Sequence, residues 1–524
     1  MNMSKKILLT VILAAGVIQA HAQLTPAYTY NSLLLSSQYY DGTARSLAMG
    51  NAMTALGGDL GALSYNPAAS GLYYYSEFTL TPSIYTSLSH NSFLGNSNSS
   101  SRSRFALSNI GWVGSFETGR TRGLLNFNLA ITANQTNNFT FRSSGSGIQT
   151  GSSYLGSLAA TMPAITGDQM TMEDGYDERS FYRGNASWSQ ILAWNTGMID
   201  TLYGNPTTYI GATENIDKNG KFGIPGSLLQ DYYREKTGYV QDIVINASGN
   251  IDNIFFFGVS LTLQSIWMYD YTSITESAVN PADFSIANGG TGFTDFTREY
   301  RLTTSGLGVD LSAGFLVHPV AGLTIGGSIS TPNWMFLNET WEESMNGNTE
   351  IYGRAKVQSP VGANSYRVTA PFKWNLGIGY TFGSFMAIGV DYERTDYSAI
   401  RMASSDGNRN YFQAENEFMK ASYRAVDNIR AGIEMWPLKQ FAIRLGYDYY
   451  GSSEKYFDNT RHYASAGLGF RTTGGFFIDM AYQQQCNFNG NSFYLYDSYD
   501  NATPPMAAEN YLNWKLLLTL GWRF

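Results

Sequence analysis

Along much of the chain apolar residues recur at every second position. Leu516, Leu518, Leu520, Trp522 and Phe524 alternate with Leu517, Thr519, Gly521 and Arg523. Neighbouring side chains of a β-strand point to opposite faces, so this segment predicts a strand with one continuous apolar face and one mixed face. The same period sets Phe441, Ile443, Leu445, Tyr447 and Tyr449 against Ala442, Arg444, Gly446 and Asp448. It sets Met386, Ile388, Val390 and Tyr392 against Ala387, Gly389, Asp391 and Glu393, and Phe257, Val259, Leu261 and Leu263 against Gly258, Ser260, Thr262 and Gln264. Leu125, Phe127, Leu129 and Ile131 oppose Asn126, Asn128 and Thr132, and further copies lie at 429–435, 464–470 and 476–482.

From Pro371 onward these strands run for about 9–11 residues, the length a tilted strand needs to cross a hydrocarbon layer. Tight connections at 382–384, 436–439 and 472–475 alternate with long polar ones at 396–420, 451–461 and 487–510. Short turns on one side and long loops on the other are the asymmetry of outer-membrane barrels, whose long loops face outward. A soluble β-sandwich would also alternate, with charges on its exposed face. Here the second face carries Gly, Ala, Asn, Thr and scattered charges, which suits a lumen. The expected fold is all-β, a transmembrane antiparallel β-barrel. Trp522 and Phe524 end the chain as its expected assembly signal, read by the barrel assembly machinery.

The other terminus supports export. Lys5 and Lys6 precede the apolar stretch 7–18, which leads to Ala20-His21-Ala22, the layout of a signal peptide with a small-residue cleavage site. Cleavage is expected after Ala22, leaving 502 of the 524 residues. The cleavage point has no cysteine, so a lipid-anchored product is not expected.

Composition agrees. Charged residues are 14% of the chain, against about 25% in soluble domains, while 15% are aromatic. Net charge is −8, or −10 once Lys5 and Lys6 leave with the leader, and nothing in it attracts nucleic acid. Cys486, alone, forms no intramolecular disulfide and reads as a gap-filling thiol. His90, His318 and His462 are scattered, so neither a metal site nor a cofactor is expected.

Two regions break the strand pattern. Residues 23–73 contain ARSLAMGNAMTALGGDLGALSYNPAASGLYYY, rich in Gly and Ala. Residues 45–56 suit a short helix, and Asp59 can cap another turn that ends at Asn66-Pro67. Leu47, Met49, Met53, Leu56, Leu60 and Leu63 favour a plug inside a barrel over a loose tail. The second region is 143–236, longer than ordinary connections. Trp188, Ile191, Leu192, Asn195, Met198, Ile199 and Leu202 recur there at helical spacing, predicting an amphipathic helix that either gathers ligand or caps the barrel mouth.

Met49-Gly50-Asn51-Ala52, Gly58-Asp59 with Ala62, and Asn66-Pro67-Ala68-Ala69, followed in order by blocks at 323–334, 369–398 and 429–450, resemble the FadL/TodX family of outer-membrane transporters for long-chain fatty acids and hydrocarbons. The resemblance implies a barrel of about 14 strands plugged by an amino-terminal hatch at 23–73, with the barrel at 74–524 and the loop 143–236 outside. Gly50, Asp59, Asn66, Pro67 and Ala68 would shape the hatch. In relatives the ligand leaves sideways beside a kinked strand, and 134–138, where polar residues interrupt the third strand, is the candidate kink.

A long acyl chain gains about 0.8 kcal/mol per CH₂ removed from water, so an apolar pocket of Leu, Met and Phe would bind it. A carboxylate head would want a cation at the pocket mouth, and Arg45, Arg179 and Arg183 are candidates, alongside Trp188, Ile191 and Leu192 as ligand contacts. Diffusive uptake of hydrophobic compounds is the expected function, with outer-membrane lipids around the barrel. The alternative is a hatch-bearing barrel of the type IX secretion system that binds secreted proteins. A hydrolase is poorly supported, since the chain offers few histidines and no nucleophile elbow, and no catalytic residue is assigned.

Overall fold

The computed structural model describes residues 25–172, 185–202, 205–216, 222–500 and 502–524. The expected leader and cleavage point, and Arg179 and Arg183, lie outside the described residues. Fourteen antiparallel strands form a closed ring. They are β1 (Glu77–Phe93), β2 (Asn96–Glu117), β3 (Leu124–Asn138, resumed at Phe141–Gln149), β4 (Leu228–Ile251), β5 (Phe255–Ala278) and β6 (Phe293–Val320). Next come β7 (Leu323–Ser330, resumed at Trp334–Thr349), β8 (Gly353–Gln358, Gly362–Thr369 and Lys373–Phe382) and β9 (Met386–Asp396, with Arg401–Ser404). The ring is completed by β10 (Ala425–Leu438), β11 (Phe441–Tyr450), β12 (Arg461–Arg471), β13 (Phe476–Gln485, with Asn489–Tyr494) and β14 (Met506–Arg523). Each strand pairs with the next, and β14 returns to β1 from Glu77↔Arg523 to Phe93↔Ala507, which closes the sheet.

The alternation of the sequence is the sidedness of the wall. Leu518, Trp522 and Phe524 are exposed while Leu517 and Thr519 are buried, and Phe257, Val259, Leu261 and Leu263 are exposed while Ser260, Thr262 and Gln264 are buried. Such a wall is apolar outside and polar within, the inverse of a water-soluble barrel, so lipid is the solvent of its belt. Among the described residues no helix is long and apolar enough to cross a membrane; strands make the crossing.

Two expectations need correction. Strands β4, β5 and β6 run for 24, 24 and 28 residues, well beyond what a membrane requires, so the irregular region 143–236 is strand at both ends. Phe141↔Lys236 through Gln149↔Leu228 are paired there, and the true excursion is 150–227. These extensions project past the lipid and need no apolar outer face, which is why their Ser, Gly and charged residues gave no alternation. Cys486 fills no gap: it follows β13 at the long-loop end and is exposed.

The amino-terminal segment fills the lumen. It holds α1 (Thr25–Ser36), α2 (Ala44–Ala48) and two 3-10 turns, Leu60–Ser64 and Pro67–Leu72. Residues 45–56 make less helix than the composition suggested because Gly50 and Asn51 adopt positive φ (55° and 54°) and turn the chain. Asp59 caps the first 3-10 turn through Gly61 N at 2.8 Å. Asn66-Pro67 does more than stop it, since Asn66 Oδ1 accepts from Ala68 N at 3.0 Å and starts the second.

The hatch lies against glycines of the wall. A Cβ at Gly446 of β11 would sit 1.9 Å from Gly50 N, and one at Gly432 of β10 would sit 2.1 Å from Met49 O. Gly389, Gly432 and Gly446 are direct register partners across β9, β10 and β11, so three adjacent strands present bare backbone to one stretch of hatch.

Candidate functional site

The plug is fixed by buried ion pairs. Arg45 of α2 meets Glu434 of β10 through two bonds, Nη2 to Oε2 at 2.8 Å and Nε to Oε1 at 3.1 Å. Glu434 also accepts from Arg444 Nε at 2.7 Å, and Arg444 reaches Asp479 at 2.6 Å, all with fully or nearly fully buried side chains except Arg45 at 15%. Lys515 of β14 pairs with Asp41 of the hatch. Pairs so buried are costly to break from one side, because the remaining charge has no water to return to. Asn66 adds bonds to Thr54 O at 2.8 Å and Phe315 O at 3.0 Å, and Pro67 O accepts from Asn246 Nδ2 at 2.9 Å. Ala68 is buried against Phe256 and Leu316.

Above the hatch the lumen divides into an apolar and a polar compartment. The apolar one is walled by Ile266, Met268, Met335, Leu337, Val368 and Phe412, among others, and Leu33 and Leu35 of α1 occupy it, with Tyr28 and Leu34 packed alongside. Tyr28 stacks edge-on against Tyr366 at 5.3 Å. The open cavity is the polar one, of about 50 Å³, bordered by Asp242, Thr262, Asp310, Asn333, Lys373 and Glu393. Ala370 and Tyr397 belong to both. The expected apolar pocket therefore exists, but the protein's own leading helix fills it.

The wall is interrupted between β2 and β3. Their ladder runs from Glu117↔Asn126 to Asn109↔Asn134 and stops, although both strands continue. Beyond that point β3 bulges between Gln135 and Asn137, and Asn134, Gln135, Thr136 and Asn137 are all buried, so the strand has turned inward at the candidate kink. Backbone groups leaving a ladder must find partners elsewhere. Here Tyr39 N donates to Thr136 O at 2.7 Å and Asp41 N to Gln135 O at 2.9 Å, so the hatch takes the edge that β2 gives up.

Side chains bridge the gap. Arg104 of β2 donates to Gly238 O of β4 at 2.8 Å, sharing that carbonyl with Phe139 N at 3.1 Å. Nearer the long-loop end, Arg102 and Arg142 both pair with Glu235, at 2.7 and 2.9 Å. Phe139 itself belongs to the apolar compartment, so the gap and that compartment share a wall.

The excursion 150–227 covers the mouth. It contains α3 (Tyr154–Ala160) and α4 (Trp188–Asn195) and packs with Phe284, Phe293, Phe296 and Met345 of the barrel rim. Ile191 and Leu192 are buried in this core, with Trp188 packed at its margin. The helix is shorter than its apolar period suggested: Gly197 at φ 68° ends it, with Met198 N returning to Ala193 O at 2.8 Å, and Ile199 and Leu202 belong to a strand. Glu214 is a buried residue of this lid, and burial raises its carboxyl pKa above the usual range.

The structure thus gathers Gly50, Asp59, Asn66, Pro67 and Ala68 in one plug and commits the donors of Arg45 to Glu434 and to Gly57 O and Gly58 O. Trp188, Ile191 and Leu192 stand apart in the lid, and Trp522 and Phe524 at the opposite end of the belt. The sequence reading missed Arg104, Glu235 and Lys373. Arg104 and Lys373 are inward charges of β2 and β8, a signal that could have found them, whereas Glu235 stands on the outward face of β4 as the register partner of Arg142.

No family model matches the chain, and no curated protein does. Solved structures do. A FadL homologue of Pseudomonas aeruginosa is similar with a TM-score of 0.53 at 13% identity, over 93% of this chain and 99% of that one. The TodX monoaromatic hydrocarbon channel, as its deltaS2 mutant, gives a TM-score of 0.50 at 11% identity, over 92% of this chain and 98% of that one. At such identities the likeness establishes the fold.

Proposed function

We propose that this chain, which has the fold of the FadL homologue and of the TodX channel, admits hydrophobic small molecules across the outer membrane and releases them sideways into the bilayer. The observation that carries the reading is the ladder's end at Asn109↔Asn134, beside the apolar compartment that Leu33 and Leu35 occupy. A molecule caught at the lid would displace Leu33 and Leu35, trade water for apolar contact at about 0.8 kcal/mol per CH₂, and leave past Phe139 and Arg104.

Long-chain fatty acids are the substrate class we favour. A bare hydrocarbon has no use for a polar cavity, whereas a carboxylate lying in the shared border at Ala370 and Tyr397 would reach Lys373, whose Nζ is held by Gln38 Oε1 at 2.5 Å. In this reading Arg45 anchors the hatch rather than the ligand, Trp188, Ile191 and Leu192 hold the lid over the entry, and Trp522 with Phe524 recruits the assembly machinery. No observation favours the secretion-system alternative, and no catalytic role is proposed.

Mass spectrometry of molecules retained by the purified barrel tests the reading. Long-chain acids should accompany the wild type and be depleted in Ala370→Trp, which adds bulk at the border of the apolar compartment and the polar cavity. Equal retention in a folded variant would contradict it.

A further inference from the structure

The lipid-facing belt has a depression in β6, β7 and β8. The outward positions of β7 are Leu323, Ile325, Gly327 and Ile329, so a hydrogen stands where neighbouring strands present a bulky side chain. Phe315 of β6 and Leu376 of β8 lean toward the space, 2.9 and 3.2 Å from where a Cβ of Gly327 would lie. Outward Ala313 is small as well. Just beyond, β7 and β8 break at the same level, at Pro332 and Pro371. The result is a groove of about 450 Å³ bordered by Ala313, Phe315, Ile329, Phe372, Trp374 and Leu376.

The groove has a fixed floor. On the inner face of the same wall Asn66 Nδ2 donates to Phe315 O at 3.0 Å, Asn375 Nδ2 to Tyr65 O at 3.4 Å, and Ser328 Oγ to Tyr65 O. The hatch thus braces from inside the stretch that is hollow outside.

We propose that this groove binds one acyl chain of a membrane lipid as a resident. It is continuous with the protein–lipid interface of the belt, and Phe315, Ile329, Phe372 and Leu376 are all exposed to that layer. Two strand spacings, roughly 10 Å, separate β6 from β8. Phe315 and Leu376 close in over Gly327 from both sides, so the free width is less than that spacing; it takes one hydrocarbon chain and not a helix, which with its side chains is about 10–12 Å across. Since the surroundings are already hydrocarbon, retention rests on dispersion contact with a concave, rigid wall rather than on escape from water.

The test uses the full mature chain in phosphatidylcholine vesicles that include a phospholipid with a photoactivatable diazirine midway along one acyl chain, with adducts located by peptide mass spectrometry. Adducts should be enriched on Phe315, Ile329 and Trp374 relative to the belt residues of β11 to β14. Gly327→Leu should remove the enrichment, and Ala313→Leu, which fills the groove from another strand, should do the same. Ala466→Leu, on the outward face of β12, should leave it intact. Heat-sensitive gel mobility identifies folded variants. Even labelling around the belt would mean annular lipid only and would overturn the proposal, as would enrichment that survives both filling variants. Cross-links from the groove to a second copy of the chain, replacing those to lipid, would overturn it too.

Discussion

The amide of Asp41 in the hatch donates to the carbonyl of Gln135 in β3 at 2.9 Å, across the lumen side of the only stretch where β3 has left β2 among the described residues. Plug and wall opening are therefore one hydrogen-bonded unit. The Asp41 side chain reinforces it, accepting from Gln135 Nε2 at 2.8 Å and pairing with Lys515. Asp41→Asn should leave Lys515 buried and unpaired, at a cost of about 3–5 kcal/mol. A lower thermal midpoint in the shift from the compact to the heated gel band checks this; an unchanged midpoint would dissociate hatch from wall.

Glycine packing makes a steric prediction. A side chain at Gly446 has backbone of Gly50 1.9 Å away, with no flexible group to yield. Gly446→Val should abolish seating of the hatch and lower the amount of folded barrel, whereas Ala464→Val on the outward face of β12 should be within about 0.5 kcal/mol of wild type. Folded-band yield from outer membranes distinguishes them.

How much of this was legible from the chain follows from what each residue faces. Leu518 and Val259 touch lipid, so their alternation was plain, and the barrel with it. Ser143 and Tyr232 lie in strands whose faces meet other protein, and an alternation rule has no purchase there. The hatch residues Asp59 and Asn66 were readable because capping is a local chemistry of two or three residues. The partnership of Arg45 with Glu434 spans 389 positions and depends on barrel closure, which no local pattern encodes.

The Arg104 bridge predicts a gating effect. A hydrogen bond from a charged group is worth about 1.5–3 kcal/mol, so Arg104→Ala should raise the opening probability by roughly tenfold or more. The initial rate of labelled oleate uptake should rise accordingly, with polar solutes of similar size unaffected.

The lid should loosen as pH rises. Burial raises the Glu214 carboxyl pKa in the folded chain, so the folded lid favours its protonated form. That contribution is complete below the unfolded carboxyl pKa, about 4.3, and is lost as pH rises through the higher folded value. Proteolysis within 150–227 should therefore accelerate in the wild type as pH rises above the ordinary carboxyl range. In Glu214→Gln it should show no such step.

The initial uptake of labelled oleate by cells expressing the barrel, set beside cells lacking it and beside uptake of a polar solute of similar size, tests the central claim most directly. The account predicts faster entry of oleate with no change for the polar solute. Equal acceleration of both would describe a water-filled pore, and no acceleration of either would leave the plugged barrel without the transport role given to it here.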